Sequence, residues 1–296
     1  MNDAIKIGTR DSKLALWQAN SVKKEFEKLS IPVKIIKIKS DGDINQITPL
    51  YEFGVIGVFT KNLDSALLNN DIDVAVHSLK DVPIKPAKGL EIKCVLKRGN
   101  PKDVLLLRNN SINYLNKLTI ATSSIRRKCQ WLYKYPKDNI KVLRGNVDTR
   151  IKKLRNSNWD GAIFAKAGID RLGIDTNKMV ILDWMVPSAA QGTIAITSRR
   201  KDKKLINILE KINCQDTMHL VNQERKFLKL MGGGCSMPIS VQATYSKNSV
   251  IIKTNICSLD YQKSLTKIGT YARTDVDAGL KIYKKNIMGG SKEIIK

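Results

Sequence analysis

The run IDVAV (72–76), continued at once by HSLKDVP (77–83), restricts the architecture more than any other stretch of this chain. It is almost wholly apolar, which suits a strand buried on both faces inside a parallel sheet. The flanking sequence offers the helices such a sheet needs. Residues 4–9 alternate as a strand, and Ala15, Val22, Phe26 and Leu29 then recur at helical spacing behind Asp11 or Ser12, either of which can cap the helix. Residues 32–39 read as the next strand and 40–43 as a turn, and a short helix begins at Thr60 and closes at Asn69 or Asn70. Strand–helix–strand alternation predicts an α/β domain.

A second alternating series follows a break with turn chemistry at residues 98–101. Strands are expected at 118–121, 140–143 and 161–165, with helices over 125–135, through Arg150 to about 155, and across Arg171. Residues 187–192 read as a second linker, after which the chain returns to the first domain. Beyond a helix over about 216–230, the period changes to that of three antiparallel strands, 239–245, 250–258 and 264–271, closed by a helix over 276–287. The expected domains are 1–97 with about 193–212, then 98–192, then a small α+β domain at 213–296.

Between the last helix and this third domain lies MGGGCSMPIS (231–240), in which three glycines run into Cys235. Glycine allows left-handed or crowded backbone there, and taken alone the loop is a turn with a half-buried thiol. The five cysteines are scattered without a C-x-x-C pair, which argues against a disulfide framework or a structural zinc site. Two histidines, His77 and His219, are too few and too separated for a metal centre. No apolar run approaches the roughly 20 residues of a membrane helix, and the N-terminus enters a strand without a signal-peptide core. The expectation is a cytoplasmic protein with no membrane partner.

Charge is the strongest compositional feature. Lysine and arginine number 52 against 27 acids, a net +25. Such a field steers anions, and either nucleic acid or a polycarboxylate small molecule satisfies it. The polar residues separate these readings. Arg10 and Ser12, Lys80 and Asp81, residues 122–127, and Arg144 to Arg150 each follow an expected strand. Ligands of open α/β sheets bind at those carboxyl ends, where helix N-termini favour anions and arginine can grip a carboxylate with two bonds. Each cluster has a plain alternative: a solvated helix face for Arg126 and Arg127, an N-cap for Thr122–Ser124, a turn at Arg144, or a surface ion pair worth under about 1 kcal/mol for Lys80 and Asp81. Recurrence after four separate strands favours a polyanion cleft. One carboxylate, Asp81, amid so much positive charge stays ionised, ready to stabilise a developing cation or to move a proton.

At these residues the chain closely resembles the hydroxymethylbilane synthase (porphobilinogen deaminase) family. The matching stretches are IGTRDSKLALWQ (7–18), GVFTKNLDSALL (57–68), DVAVHSLKDVP (73–83), ATSSIRRKCQ (121–130), LRGNVDTRIKKL (143–154), AKAGIDRLG (165–173), PSAAQGTIAI (187–196) and GGGCSMPIS (232–240), in the family's order. The resemblance implies two doubly wound domains like periplasmic binding proteins plus a small C-terminal α+β domain. It implies a monomeric transferase that joins four porphobilinogen molecules into linear 1-hydroxymethylbilane on a covalent dipyrromethane cofactor. By the same resemblance Cys235 carries that cofactor through a thioether and Asp81 is the catalytic carboxylate. Ser12, Lys80, Asp81, Thr122, Ser124, Arg126 and Arg127 match positions that hold the cofactor. Arg10, Arg144, Arg150, Arg171 and Gln191 match positions that receive substrate carboxylates.

Three positions depart from the family pattern: Ile56 where many relatives have lysine, Ala190 in place of a glycine, and Thr197 where glutamate is frequent. Two other readings are compatible with the residues: a non-catalytic two-lobed anion-binding protein, and a nucleic-acid binder supported by charge alone, without a recognised module.

Overall fold

The protein is described here by a computed structural model covering residues 4–39, 60–109, 117–175, 177–234 and 237–295. It forms two compact units. One gathers the described residues up to Gly99 together with Gly192–Met218, and the other gathers those of Asn100–Gln191 and His219–Lys296.

The first unit is built on a sheet of order β2-β1-β3-β10-β4. Strands β1 (Ile5–Thr9), β2 (Val33–Lys37) and β3 (Val74–Ser78) are parallel, and β10 (Ile194–Arg199) runs antiparallel to β3 and to β4 (Leu90–Val95). Helices cover both faces. On one, Ala19, Val22 and Phe26 of α1 (Lys13–Glu27) and Leu205 and Leu209 of α6 (Lys203–Ile212) pack on Ile7, Val74, Val76 and Ile196. On the other, Leu63, Ala66 and Leu67 of α2 (Lys61–Leu68) close over Ile72, Ala75 and Leu90. Each fully buried large side chain contributes roughly 1.5–3 kcal/mol. The expected strand at 72–76 begins later, at Val74, because Asp73 turns its carboxylate to the Lys6 amide (2.8 Å) and Ile72 sits beneath α2.

The second unit repeats this plan with the order β7-β6-β8-β5-β9. Here β6 (Thr119–Ala121), β7 (Asn139–Lys141) and β8 (Gly161–Ala165) are parallel, and β5 (Asp103–Leu107) is antiparallel to β8 and to β9 (Met179–Ile181). Helix α3 (Ile125–Lys134) covers one face with Trp131, while α4 (Val147–Arg155) and α5 (Lys166–Arg171) cover the other with Ile151, Leu154 and Ile169. In both sheets the one antiparallel strand comes from the segment crossing between the two series. The sequence reading anticipates β10 but gives no strand at β4, β5 or β9 and no helix at α6.

Helix α7 (Gln215–Leu230) leads to an antiparallel meander of β11 (Ile239–Ser246), β12 (Ser249–Cys257) and β13 (Ser264–Ala272), covered by α8 (Ala278–Met288) and α9 (Ser291–Ile295). Its core joins Phe227, Val241, Ile252 and Ile282, and Ala189 of the 187–192 segment packs into it. Residues 186–191 are therefore pinned within the second unit: the Val241 amide donates to Pro187 O (3.1 Å), and Gln130 Nε2 donates to Val186 O (2.9 Å) and Ser240 Oγ (2.8 Å). No helix among the described residues is long and apolar enough to cross a membrane.

Candidate active site

In the first unit the chemistry gathers at the carboxyl ends of β1 and β3. Ser12 caps α1 by accepting from the Ala15 amide (3.3 Å), so its hydroxyl is held at the helix N-terminus immediately beyond Arg10. After β3 the chain makes a single tight 3-10 turn, Leu79–Asp81, anchored where the Leu79 amide donates to Thr193 O (2.9 Å). The turn brings the Asp81 carboxylate round to a cleft of about 80 Å³ that it lines with Arg10, Ser12, Gln18 and His77. Gln18 is buried and donates to Ser78 Oγ (2.8 Å), which steadies the end of β3 from the α1 side. Lys80 lies in the same turn but is not part of the cleft wall.

His77, only 6 % exposed, has its ordinary pKa pushed down to about 4, first by burial and then by the positive charge of Arg10. It is thus a neutral imidazole at physiological pH, and its Nε2 has no hydrogen-bond partner. The cleft offers a guanidinium and a hydroxyl for an anion, and one carboxylate for a cation. Sequence reasoning set His77 aside as structural and did not single out Gln18.

In the second unit Thr122 and Ser124 follow β6. Ser124 is the N-cap of α3, accepting from the Arg127 amide, and Thr122 Oγ1 accepts from the Ser124 amide (3.2 Å). The two helix arginines are not solvated: Arg126 and Arg127 are 6 % and 5 % exposed. Both meet Asp103, the fully buried first residue of β5. Arg126 Nη1 donates to Asp103 Oδ2 (2.6 Å) and to Val186 O (2.9 Å). Arg127 donates from Nε (3.0 Å) and Nη2 (2.7 Å) to Asp103 Oδ1, and from Nη1 to Ile163 O (2.8 Å). Gln191, also fully buried, adds a bond from Nε2 to Asp103 Oδ1 (2.9 Å) and another to Pro101 O (2.7 Å). Burial by itself would raise the Asp103 carboxyl; the two guanidinium groups and the Gln191 bond outweigh it and hold the group well below the usual carboxylate range.

Asp103 is absent from the sequence-derived set. Its only trace in the sequence is a lone acid heading an otherwise apolar run, DVLLL. The other three predicted arginines of the second unit lie in the loop after β7, in α4 and at the end of α5. Arg144 is buried in the loop after β7, and Arg150 Nε turns back to Gly145 O (2.7 Å). Arg171, at the end of α5, is lowered to about 10 by burial, opposed by Asp170.

Cys235 lies outside the described residues, as does Ile56, so the geometry bears only on the loop's approach. The amides of Gly233 and Gly232 donate to Leu228 O (2.9 Å) and Lys229 O (3.1 Å), closing α7 with a Schellman motif that needs the left-handed φ of +67° at Gly232. A Cβ on Gly233 would meet Leu228 Cδ1 at 2.4 Å, whereas one on Gly234 would meet nothing within 4 Å. The residue next to the cysteine therefore faces open space. Of the other departures from the family pattern, Ala190 takes the left-handed φ of +59° that a glycine adopts freely, and Thr197 is buried within β10.

The donor set suits a dipyrromethane group bearing carboxylate side chains. Among the hydrogen bonds of the described residues Arg126 uses only Nη1, leaving its Nε–Nη2 edge for another acceptor, and Ser12, Ser124 and Arg10 stand at helix or strand ends where anions are favoured.

Comparison with known proteins agrees with this chemistry. Residues 5–207 match the family model for the porphobilinogen deaminase dipyromethane cofactor binding domain, and residues 218–286 match its C-terminal domain. The chain is 36% identical to the porphobilinogen deaminase of Geobacter sulfurreducens, covering 98% of this chain and 93% of that one. It is 42% identical to the probable porphobilinogen deaminase of Methanocaldococcus jannaschii over 84% of this chain and 86% of the relative. With the porphobilinogen deaminase of Orientia tsutsugamushi it shares 41% identity over 83% and 84%. The chain belongs to the porphobilinogen deaminase family of transferases, whose dipyrromethane cofactor-binding domain it carries.

Proposed function

We propose that this protein deaminates porphobilinogen and joins four molecules head to tail into 1-hydroxymethylbilane, acting as a cytoplasmic monomer with three domains: 1–97 plus about 193–212, 98–192, and 213–296. Cys235 holds the dipyrromethane group through a thioether. When bound, that group supplies the pyrrole carbon onto which the first substrate is joined.

The observation that carries this reading is the cleft that Asp81 shares with Arg10 and Ser12. Loss of ammonia from the protonated aminomethyl group of porphobilinogen breaks its C–N bond, the electron pair leaving with nitrogen, so that the positive charge passes to the pyrrole methylene and spreads to the ring nitrogen. A fixed carboxylate beside that N–H favours positive charge on the ring over charge on the departing ammonium nitrogen, which lowers the barrier. Arg10 receives an acetate or propionate of the same substrate and fixes the ring relative to Asp81. Each added ring brings two more carboxylates, and Arg144, Arg150 and Arg171 serve these as the product lengthens, whereas Gln191, fully buried with its Nε2 on Asp103 Oδ1 and Pro101 O, braces Asp103 instead of receiving a substrate carboxylate as the resemblance implied. Lys80, Thr122, Ser124 and Arg126 hold the carboxylates of the dipyrromethane group, and Arg127, whose three nitrogens donate to Asp103 and Ile163 O, supports Arg126 from behind.

Intact-mass measurement of the purified protein tests the covalent part. The expected mass exceeds that of the chain by a two-ring pyrrole unit, and Cys235→Ala removes the increment. For Asp81→Asn, turnover of porphobilinogen falls by about 10²-fold or more with the circular-dichroism spectrum unchanged. A bare mass in folded wild type, or ordinary turnover in Asp81→Asn, refutes the assignment.

A further inference from the structure

We infer that Asp103 is a positioning residue for the cofactor-side arginines: it sets the orientation of Arg126, Arg127 and Gln191 before any ligand arrives. This rests on the reading that Arg126 holds the dipyrromethane group, with Arg127 as its support. Three donor side chains converge on a single carboxylate that is fully removed from solvent, with every contact between 2.6 and 3.0 Å. Oδ2 takes Arg126, whereas Oδ1 takes Arg127 through both Nε and Nη2, and Gln191 as well.

The two arginines, adjacent on one helix turn, therefore occupy different orientations. Arg127 lies side-on to Asp103, with its third nitrogen on Ile163 O, and acts as the strut. Arg126 is pinned through Nη1 to Asp103 and to Val186 O, which turns its Nε–Nη2 edge away from the carboxylate. That edge is the one that grips a ligand carboxylate with two parallel bonds. Two guanidinium groups side by side repel each other, and without the intervening anion neither would hold this orientation in a buried site. With Asp103 in place the cationic pocket is assembled in advance, so ligand binding does not have to order two long side chains.

The test is Asp103→Asn, which keeps the shape but places an amide N–H against an arginine N–H. The fraction of purified protein carrying the two-ring mass increment is expected to fall about tenfold, with the far-ultraviolet spectrum unchanged and the arginine Nε–Hε resonance of Arg127 losing its protection from exchange. Wild-type loading in folded Asp103→Asn overturns the inference. A wild type without the increment instead overturns the functional reading on which it rests. Should the variant fail to fold, the cofactor-free protein Cys235→Ala decides: its Arg127 Nε–Hε resonance is expected at the holoenzyme position and equally protected. A resonance that becomes ordered only in the loaded protein sinks the proposal.

Discussion

Glu224, in the middle of α7, is fully buried and accepts from two backbone amides, Ala190 N and Ala243 N, each at 2.6 Å. One bond holds the residue before Gln191 in a left-handed conformation that costs a non-glycine residue about 1–2 kcal/mol; the other fixes α7 to β11. Glu224→Gln keeps the size and one carbonyl acceptor but turns an NH2 group toward the second amide. A buried donor left facing a donor costs about 1–3 kcal/mol, and the surviving bond, no longer charge-assisted, loses about 1 kcal/mol more. The expected loss is about 2–4 kcal/mol. At roughly 2–4 °C per kcal/mol for a chain of this size, thermal unfolding followed by circular dichroism drops by about 5–15 °C. A change below about 1 °C would mean that the two bonds contribute nothing net, and the account of how the 187–191 turn is held would be wrong.

Other expectations follow from single groups. Ala190→Gly relieves the left-handed φ of +59° and raises stability by up to about 1 kcal/mol after the entropy glycine adds to the unfolded chain; a fall in the unfolding temperature contradicts the strain. His77 has a folded pKa of about 4 against an ordinary 6.5, so the unfolded chain binds its proton first. Stability is intact above pH 6.5 and declines as pH drops toward 4, by about 3 kcal/mol in total. His77→Gln is expected to remove that part of the pH dependence, and identical profiles for variant and wild type refute it. Gly233→Ala meets Leu228 Cδ1 at 2.4 Å while Gly234→Ala meets nothing within 4 Å, so the first costs about 1–2 kcal/mol and the second leaves the melting temperature unchanged. Equal destabilisation by both, measured in denaturant, goes against the packing described for this loop.

How much of this was readable in the sequence follows from which strands carry a pattern. The parallel strands β1, β3, β6 and β8 are apolar runs followed by a turn or helix, capped by Ser12 after β1 and by Ser124 after β6, so their ends, and the residues from Arg10 to Arg127 that follow them, can be placed from the sequence. Strand β5 has no helix of its own. It is five buried residues entering the second sheet antiparallel, and DVLLL alone does not distinguish such a strand from a piece of helix. Asp103 stands at its first position, so the residue joining Arg126 to Arg127 was hidden with the strand. The same blindness left a solvated face open as the plain alternative for Arg126 and Arg127, because burial of a charge depends on a partner 23 or 24 residues away in the chain. Glu224 is concealed differently: its partners, Ala190 and Ala243, lie 34 and 19 residues away and offer only their backbone amides, which no side-chain pattern marks. Local sequence thus exposes the groups proposed to face a ligand, since they follow strands. The carboxylates that hold those groups in place are set by tertiary pairing, and only the fold reveals them.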